Sequence, residues 1–193
     1  MEYILTPNTP EQTPPYVWWD DAFNEREIAQ LQKIALNSSN NAGIGGPNGY
    51  DASIRRSQVQ FLPNSPEYRW VYERLGEVVS RVNANYYRFD LTGFGEQLQM
   101  TNYNSEEQGT YGWHMDMGVQ GVSRKLSLVL QLTDPSQYEG GNLEILAGSN
   151  ALIVEKKKGR IVLFPSWMLH RVTPVTKGQR QSLVVWVSGP YFI

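Results

Sequence analysis

Ile28, Leu31, Ile34 and Ala35 recur at the spacing of one helical face, and Asn24 with Glu27 supplies a capping box ahead of them. An amphipathic helix up to about Leu36 is expected. A second apolar stripe, Val71, Leu75, Val78, Val79 and Val82, follows Ser65 and Pro66, which suit an N-cap and a first helical position. Between the two stripes, residues 37–49 are rich in Asn, Ser and Gly, carry Pro47 and have no apolar period, so a mobile loop suited to a lid is expected there. Arg55 to Leu62 reads as a strand. From Arg88 onward the period shortens, with strands expected near 88–91, 96–103, 125–132, 142–146, 151–154, 160–164, 170–175 and 182–188.

Lys125 to Leu132 alternates leucine with smaller or polar side chains. The leucines are assigned to a helix-covered face, and Ser127, Val129 and Gln131 to the other, with Gln131 facing an interior cavity. Helices first and strands later indicate the α+β class: a double-stranded β-helix (jelly roll) core with N-terminal buttressing helices and a ligand site in its mouth. Four prolines within residues 6–15 predict an extended arm over 1–16, with a single folded domain over 17–193 and its β core at about 88–188.

Length and charge narrow the function classes. At 193 residues one core suffices, and a net charge of −2 argues against non-specific nucleic-acid binding. The chain has no cysteine, which removes disulfides, thiolate nucleophiles and Cys-based zinc sites. With no apolar run of membrane-spanning length and no signal-like N-terminus, a soluble cytoplasmic monomer is expected.

The chemistry concentrates on few residues. Of the two histidines, His114 stands two positions before Asp116, and His170 lies further along. Residues two apart in an extended strand project to one side, so His114 and Asp116 can share a metal, with His170 joining from a strand across the barrel. Two imidazoles and one carboxylate suit a non-haem Fe(II) centre with open coordination positions. Arg180, ten residues after His170, is placed to clamp a carboxylate bidentately. Its position at the start of the hydrophobic stretch Ser182 to Trp186 implies burial, which demands an anionic partner.

These residues resemble the Fe(II)- and 2-oxoglutarate-dependent dioxygenases, most closely the prolyl 4-hydroxylase-like branch. The likeness runs over about 98–188: Tyr103, Gly109, Tyr111 and His114-Met115-Asp116, then Asp134-Pro135 with Tyr138-Glu139-Gly140-Gly141-Asn142-Leu143, then His170 and Arg180. It implies that His114, Asp116 and His170 hold iron, and that Arg180 and Tyr103 bind the distal carboxylate of 2-oxoglutarate. Trp186 resembles a tryptophan walling the iron pocket. Ser182, Gln131 and Leu143 are further candidates for the cosubstrate pocket, while Arg55, Arg56, Tyr50 and Trp113 are candidates for substrate contact. The implied cofactors are Fe(II), 2-oxoglutarate and O2, with ascorbate as a candidate reductant.

The implied function is hydroxylation of a C–H bond coupled to decarboxylation of 2-oxoglutarate to succinate. A proline-containing peptide or protein is the expected substrate, as in procollagen-proline 4-hydroxylase-like enzymes. Hydroxylation of another protein residue, a small molecule or a nucleic-acid base is the alternative. The run Lys156-Lys157-Lys158 with Arg160 encourages the nucleic-acid version, which Trp186 and the net charge disfavour. A catalytically silent β-sandwich binding module and a zinc hydrolase stay open as readings from other classes.

Overall fold

The computed structural model describes residues 13–36, 40–42, 51–118 and 123–191. Most of the expected N-terminal arm, most of the loop 37–49, and Tyr50 lie outside the described residues.

A short strand, β1 (Val17–Trp19), precedes helix α1 (Glu25–Leu36). The capping box forms as the sequence implies: the Asn24 and Glu27 side chains each accept from the other's backbone N–H, at 3.0 and 2.8 Å. After a two-residue strand, β2 (Asn40–Asn41), come β3 (Arg55–Arg56) and β4 (Gln58–Leu62), then helix α2 (Arg69–Val82). The β body follows as β5 (Leu98–Asn104), β6 (Thr110–His114), β7 (Arg124–Gln131), β8 (Tyr138–Gly140), β9 (Leu143–Ala147), β10 (Asn150–Ile153), β11 (Ile161–Pro165), β12 (His170–Val172) and β13 (Val175–Ser188).

Two antiparallel sheets form the sandwich. The larger runs β1-β11-β7-β13-β5-β4-β2, with β8 pairing beside β13; the smaller runs β10-β9-β12-β6-β3. Both helices cover the outer face of the larger sheet. Leu126, Leu128, Leu130 and Leu132 enter that core with Ile28, Leu31, Leu75 and Val78, on the helix-covered face that the leucine alternation predicts. Between the sheets a second cluster, Val129, Leu143, Ile145, Val154, Val162 and Phe164, packs next to the cavity. No described helix is long and apolar enough to cross a membrane.

Several expectations need correction. The segment 55–62 is two strands: β3 pairs with β6 in the small sheet, and β4 pairs with β5 in the large one. The chain changes sheets at Ser57, whose hydroxyl accepts from Arg55 Nε at 2.8 Å. Alternation with period 2 carries no information about which sheet a strand joins. Helix α2 begins at Arg69, because Ser65 and Pro66 belong to a preceding turn in which Tyr68 N–H donates to the Ser65 carbonyl.

No strand forms over 88–91. The helix unwinds through a π turn over Asn83–Tyr87 into left-handed Arg88 (φ 54°), and the Asn83 side chain clasps both the N–H and the carbonyl of Phe89. The expected strand 170–175 is β12 plus the start of β13, and β6, which carries His114, was not separated from its surroundings in the sequence.

Candidate metal centre

His114 ends β6 and His170 opens β12, and the two residues are directly paired across this antiparallel ladder. His170 is therefore a neighbour in the same sheet, not a partner from across the barrel. Asp116 lies just beyond β6, where its N–H donates to the Ser166 carbonyl at 2.8 Å. The three ligand atoms lie within 4.8 Å of one another. His114 Nε2 is 3.7 Å from Asp116 Oδ1, and His170 Nε2 is 3.4 Å from Asp116 Oδ2.

The tautomers follow from the partners. His114 Nδ1 meets the Gly112 carbonyl at 2.8 Å, and His170 Nδ1 meets the Met168 carbonyl at 2.9 Å. A carbonyl only accepts, so each Nδ1 carries a proton, and each Nε2 is the ring nitrogen turned toward Asp116. Burial pushes the His114 imidazole down to about 4, with the His170 ring adding to the effect, so His114 is neutral at pH 7. Burial opposes the charge on Asp116, yet His170 and then His114 outweigh it and hold the carboxyl well below the usual carboxylate range. Ser127 Oγ donates to Asp116 Oδ2 at 2.8 Å and meets Ser166 Oγ at 3.0 Å, fixing the carboxylate from behind.

A β-bulge shapes the wall beside His114. Residues 170 and 172 of β12 pair with 114 and 111 of β6, so three steps on one strand oppose two on the other. That extra residue brings Tyr111 and His114 to the same face, where their rings stack at 3.4 Å and 15°. The Arg55 guanidinium covers the far side of Tyr111 at 4.5 Å.

The centre opens into a cavity of about 160 Å³ whose lining includes Arg55, Tyr103, Leu143, Arg180, Ser182 and Trp186. Arg180 is buried and sits directly beside Tyr103 in the β13–β5 pairing. Its guanidinium carbon is 5.4 Å from the Tyr103 ring centroid, and Nη1 donates to Ser182 Oγ at 3.3 Å. Among the described residues no carboxylate forms an ion pair with Arg180. The left-handed turn Gly140-Gly141 seats its stem: a Cβ on Gly141 would stand 3.0 Å from Arg180 Cδ.

The remaining sequence candidates divide. Leu143, Trp186, Ser182 and Arg55 line the cavity with the triad. Gln131 does not: it shares the face of Ser127 and Val129, but at the strand end its amide donates to the Glu155 carbonyl at 3.0 Å. Arg56 is committed to the Gln108 and Ala52 carbonyls. Trp113 faces outward beneath the Arg171 guanidinium at 4.6 Å. The basic run is also spoken for, since Lys157 and Arg160 pair with Asp20, and Lys158 pairs with Glu25. Sequence reasoning gave no role to Ser127, Ser166, Gln99 and Arg124. A serine in a leucine-rich strand signalled Ser127 through its misfit, whereas Arg124 and Gln99 carry no such mark.

Comparison with known proteins agrees with this geometry. Residues 98–188 match the family model of the 2OG-Fe(II) oxygenase superfamily. A PKHD-type hydroxylase of Teredinibacter turnerae is 44% identical over 151 residues, 75% of this chain and 65% of the relative. A second, from Alteromonas mediterranea, is 38% identical over 186 residues, 88% of this chain and 76% of the relative. The chain thus spans just under two thirds of the first relative's length. Among solved structures, the fold resembles a Trichoplax adhaerens prolyl hydroxylase in complex with a hypoxia inducible factor peptide fragment (TM-score 0.76, 15% identity, 91% of this chain and 84% of that one). It also resembles a Pseudomonas putida prolyl-4-hydroxylase (TM-score 0.71, 19% identity, 92% and 94%).

Proposed function

The chain belongs to the 2OG-Fe(II) oxygenase superfamily, in its prolyl 4-hydroxylase-like branch, and from that premise we propose that it hydroxylates a peptidyl proline, with His114, Asp116 and His170 as iron ligands and Arg180 as the cosubstrate clamp. Fe(II), 2-oxoglutarate and O2 are the cofactors of this superfamily. The donor set fits the metal on chemical grounds: two imidazole nitrogens and one carboxylate, with ligand atoms within 4.8 Å of one another, suit Fe(II) and leave coordination positions open. When bound, iron couples the oxidative decarboxylation of 2-oxoglutarate to succinate and CO2 with insertion of the second oxygen atom of O2 into the substrate C–H bond.

The chain's own residues have separate tasks in this reading. Ser127 holds Asp116 in orientation. Arg180 binds the distal carboxylate of 2-oxoglutarate, with Tyr103 and Ser182 as hydroxyl partners. Val129, Leu143, Val172 and Trp186 keep water from the reacting centre. Substrate enters beside Arg55, which lines the cavity with the triad. The convergence of three ligand atoms beside a buried guanidinium carries the proposal.

Peptide pools of varied sequence, incubated with the protein, Fe(II), 2-oxoglutarate and O2, provide the test. A product heavier by one oxygen atom, localised to proline and formed with succinate in equal amount, is the expected result. Hydroxylation of a different residue or of a small molecule overturns the proline assignment alone.

A further inference from the structure

Among the described residues that line the metal cavity, Gln99 alone carries a side-chain amide, and it is 5% exposed. One end of that amide is spent inside the protein, where Nε2 donates to Thr101 Oγ1 at 2.9 Å. The other end, Oε1, accepts from no described residue. Four unpartnered side-chain polar atoms among the described residues are sealed from solvent, and Gln99 Oε1 is not one of them. The oxygen therefore keeps accessible surface in the cavity that Gln99 lines.

The pairing register places this amide in a row. Across β7, β13, β5 and β4, Val129, Val184, Gln99 and Phe61 stand directly opposite one another, on the face of the large sheet turned away from the helices. Side chains so paired lie about 5 Å apart. Val129 is 6% exposed and packs with Leu143 and Ile145 of the small sheet, whereas Phe61 at the other end is 50% exposed. The row thus runs from the dry pocket to solvent, with the amide between. Tyr103, which stands opposite Arg180, lies four residues further along β5, about 13 Å from Gln99 along the strand. Gln99 belongs to the end of the cavity away from the clamp.

We propose that Gln99 is a substrate-recognising residue, whose Oε1 accepts a hydrogen bond from a main-chain N–H of the bound peptide while Phe61 seats a neighbouring apolar side chain of that peptide. A prolyl target has no N–H of its own, so the donor is the residue that follows it. The inference rests on the peptide reading given above and adds to it the group that reads the substrate's backbone.

The test uses a proline peptide selected from the pools, prepared also with an ester in place of the amide that follows the proline, and measures its hydroxylation by the Fe(II)- and 2-oxoglutarate-loaded protein. Losing that N–H should raise the wild-type Michaelis constant for peptide about threefold to tenfold, the worth of one hydrogen bond. Gln99→Leu should raise it by a similar factor with the amide peptide, and the ester should then cost little more, because both changes remove the same bond. The Michaelis constant for 2-oxoglutarate should hold. Phe61→Ser should weaken peptide binding by less and leave the ester effect in place. Losses that add fully between Gln99→Leu and the ester overturn the proposal, since a residue that merely packs the wall would behave so. An unchanged peptide constant in Gln99→Leu overturns it as well, and so does a rise confined to the constant for 2-oxoglutarate. Should Gln99→Leu fail to fold, the ester peptide on the wild-type protein decides, and an unchanged constant there overturns the proposal. A wild-type protein that hydroxylates no proline peptide refutes the substrate reading, and this inference with it.

Discussion

Strand β7 separates two environments built from one stretch of sequence. On its outer face Leu126, Leu128 and Leu130 are fully buried under the helices, in contact with apolar side chains. On its inner face Ser127 and Val129 are equally enclosed, but Ser127 spends its hydroxyl on Asp116. The outer face stores stability; the inner face keeps polar groups dry and aligned, which costs stability and creates a binding site. Substitutions on the two faces should therefore fail in different ways.

The largest effect belongs to the inner face. Asp116→Ala should abolish 2-oxoglutarate turnover and lower the melting temperature while the chain still folds, because a carboxyl held below its ordinary range stabilises the fold at neutral pH; succinate release and thermal unfolding check the pair of outcomes. Arg180→Ala should raise the Michaelis constant for 2-oxoglutarate about thirtyfold or more, from the ~2–5 kcal/mol of a buried charge-assisted pair, with iron binding intact. On the outer face, Leu128→Ala should cost about 2–5 kcal/mol of unfolding free energy without changing the ligand set, as denaturant titration would show. Ser127→Ala removes one hydroxyl from the inner face of the same strand, and should weaken iron binding about tenfold to a hundredfold with little change in stability.

The smallest effect lies away from both faces. Arg160, by its hydrogen bonds, holds the Asp20 carboxyl down to about 2 from an ordinary 3.8. A depressed carboxyl stabilises the fold fully above its unfolded value and loses that contribution as the pH falls toward 2. Arg160→Gln should therefore flatten the stability profile between about pH 4 and pH 2, by roughly 1–2 kcal/mol, in acid-denaturation curves.

The same contrast explains what the sequence could and could not reveal. The outer core was legible because Leu126, Leu128 and Leu130 alternate and Ile28, Leu31 and Ala35 follow a helical period, both of which depend on local spacing. The iron-binding candidates were legible from residue type, since a chain with two histidines offers few metal sites. Geometry across strands was not: the bulge that brings Tyr111 against His114 depends on how β12 pairs, and the change of sheet at Ser57 leaves no mark in the alternation. Gln131 has the right parity for the cavity but stands at the strand end, where a carbonyl from another segment takes its amide. Arg124 and Glu96 are far from the ligands in sequence, and only the fold brings them onto Trp186.

The account depends on His114, Asp116 and His170 gathering one Fe(II) beside Arg180, and an anaerobic titration of the protein with Fe(II) and 2-oxoglutarate tests this most directly. It predicts a visible metal-to-ligand charge-transfer band that saturates at one iron per chain and is lost in His114→Ala. A featureless spectrum from folded wild-type protein, or a band that survives in His114→Ala, would contradict it.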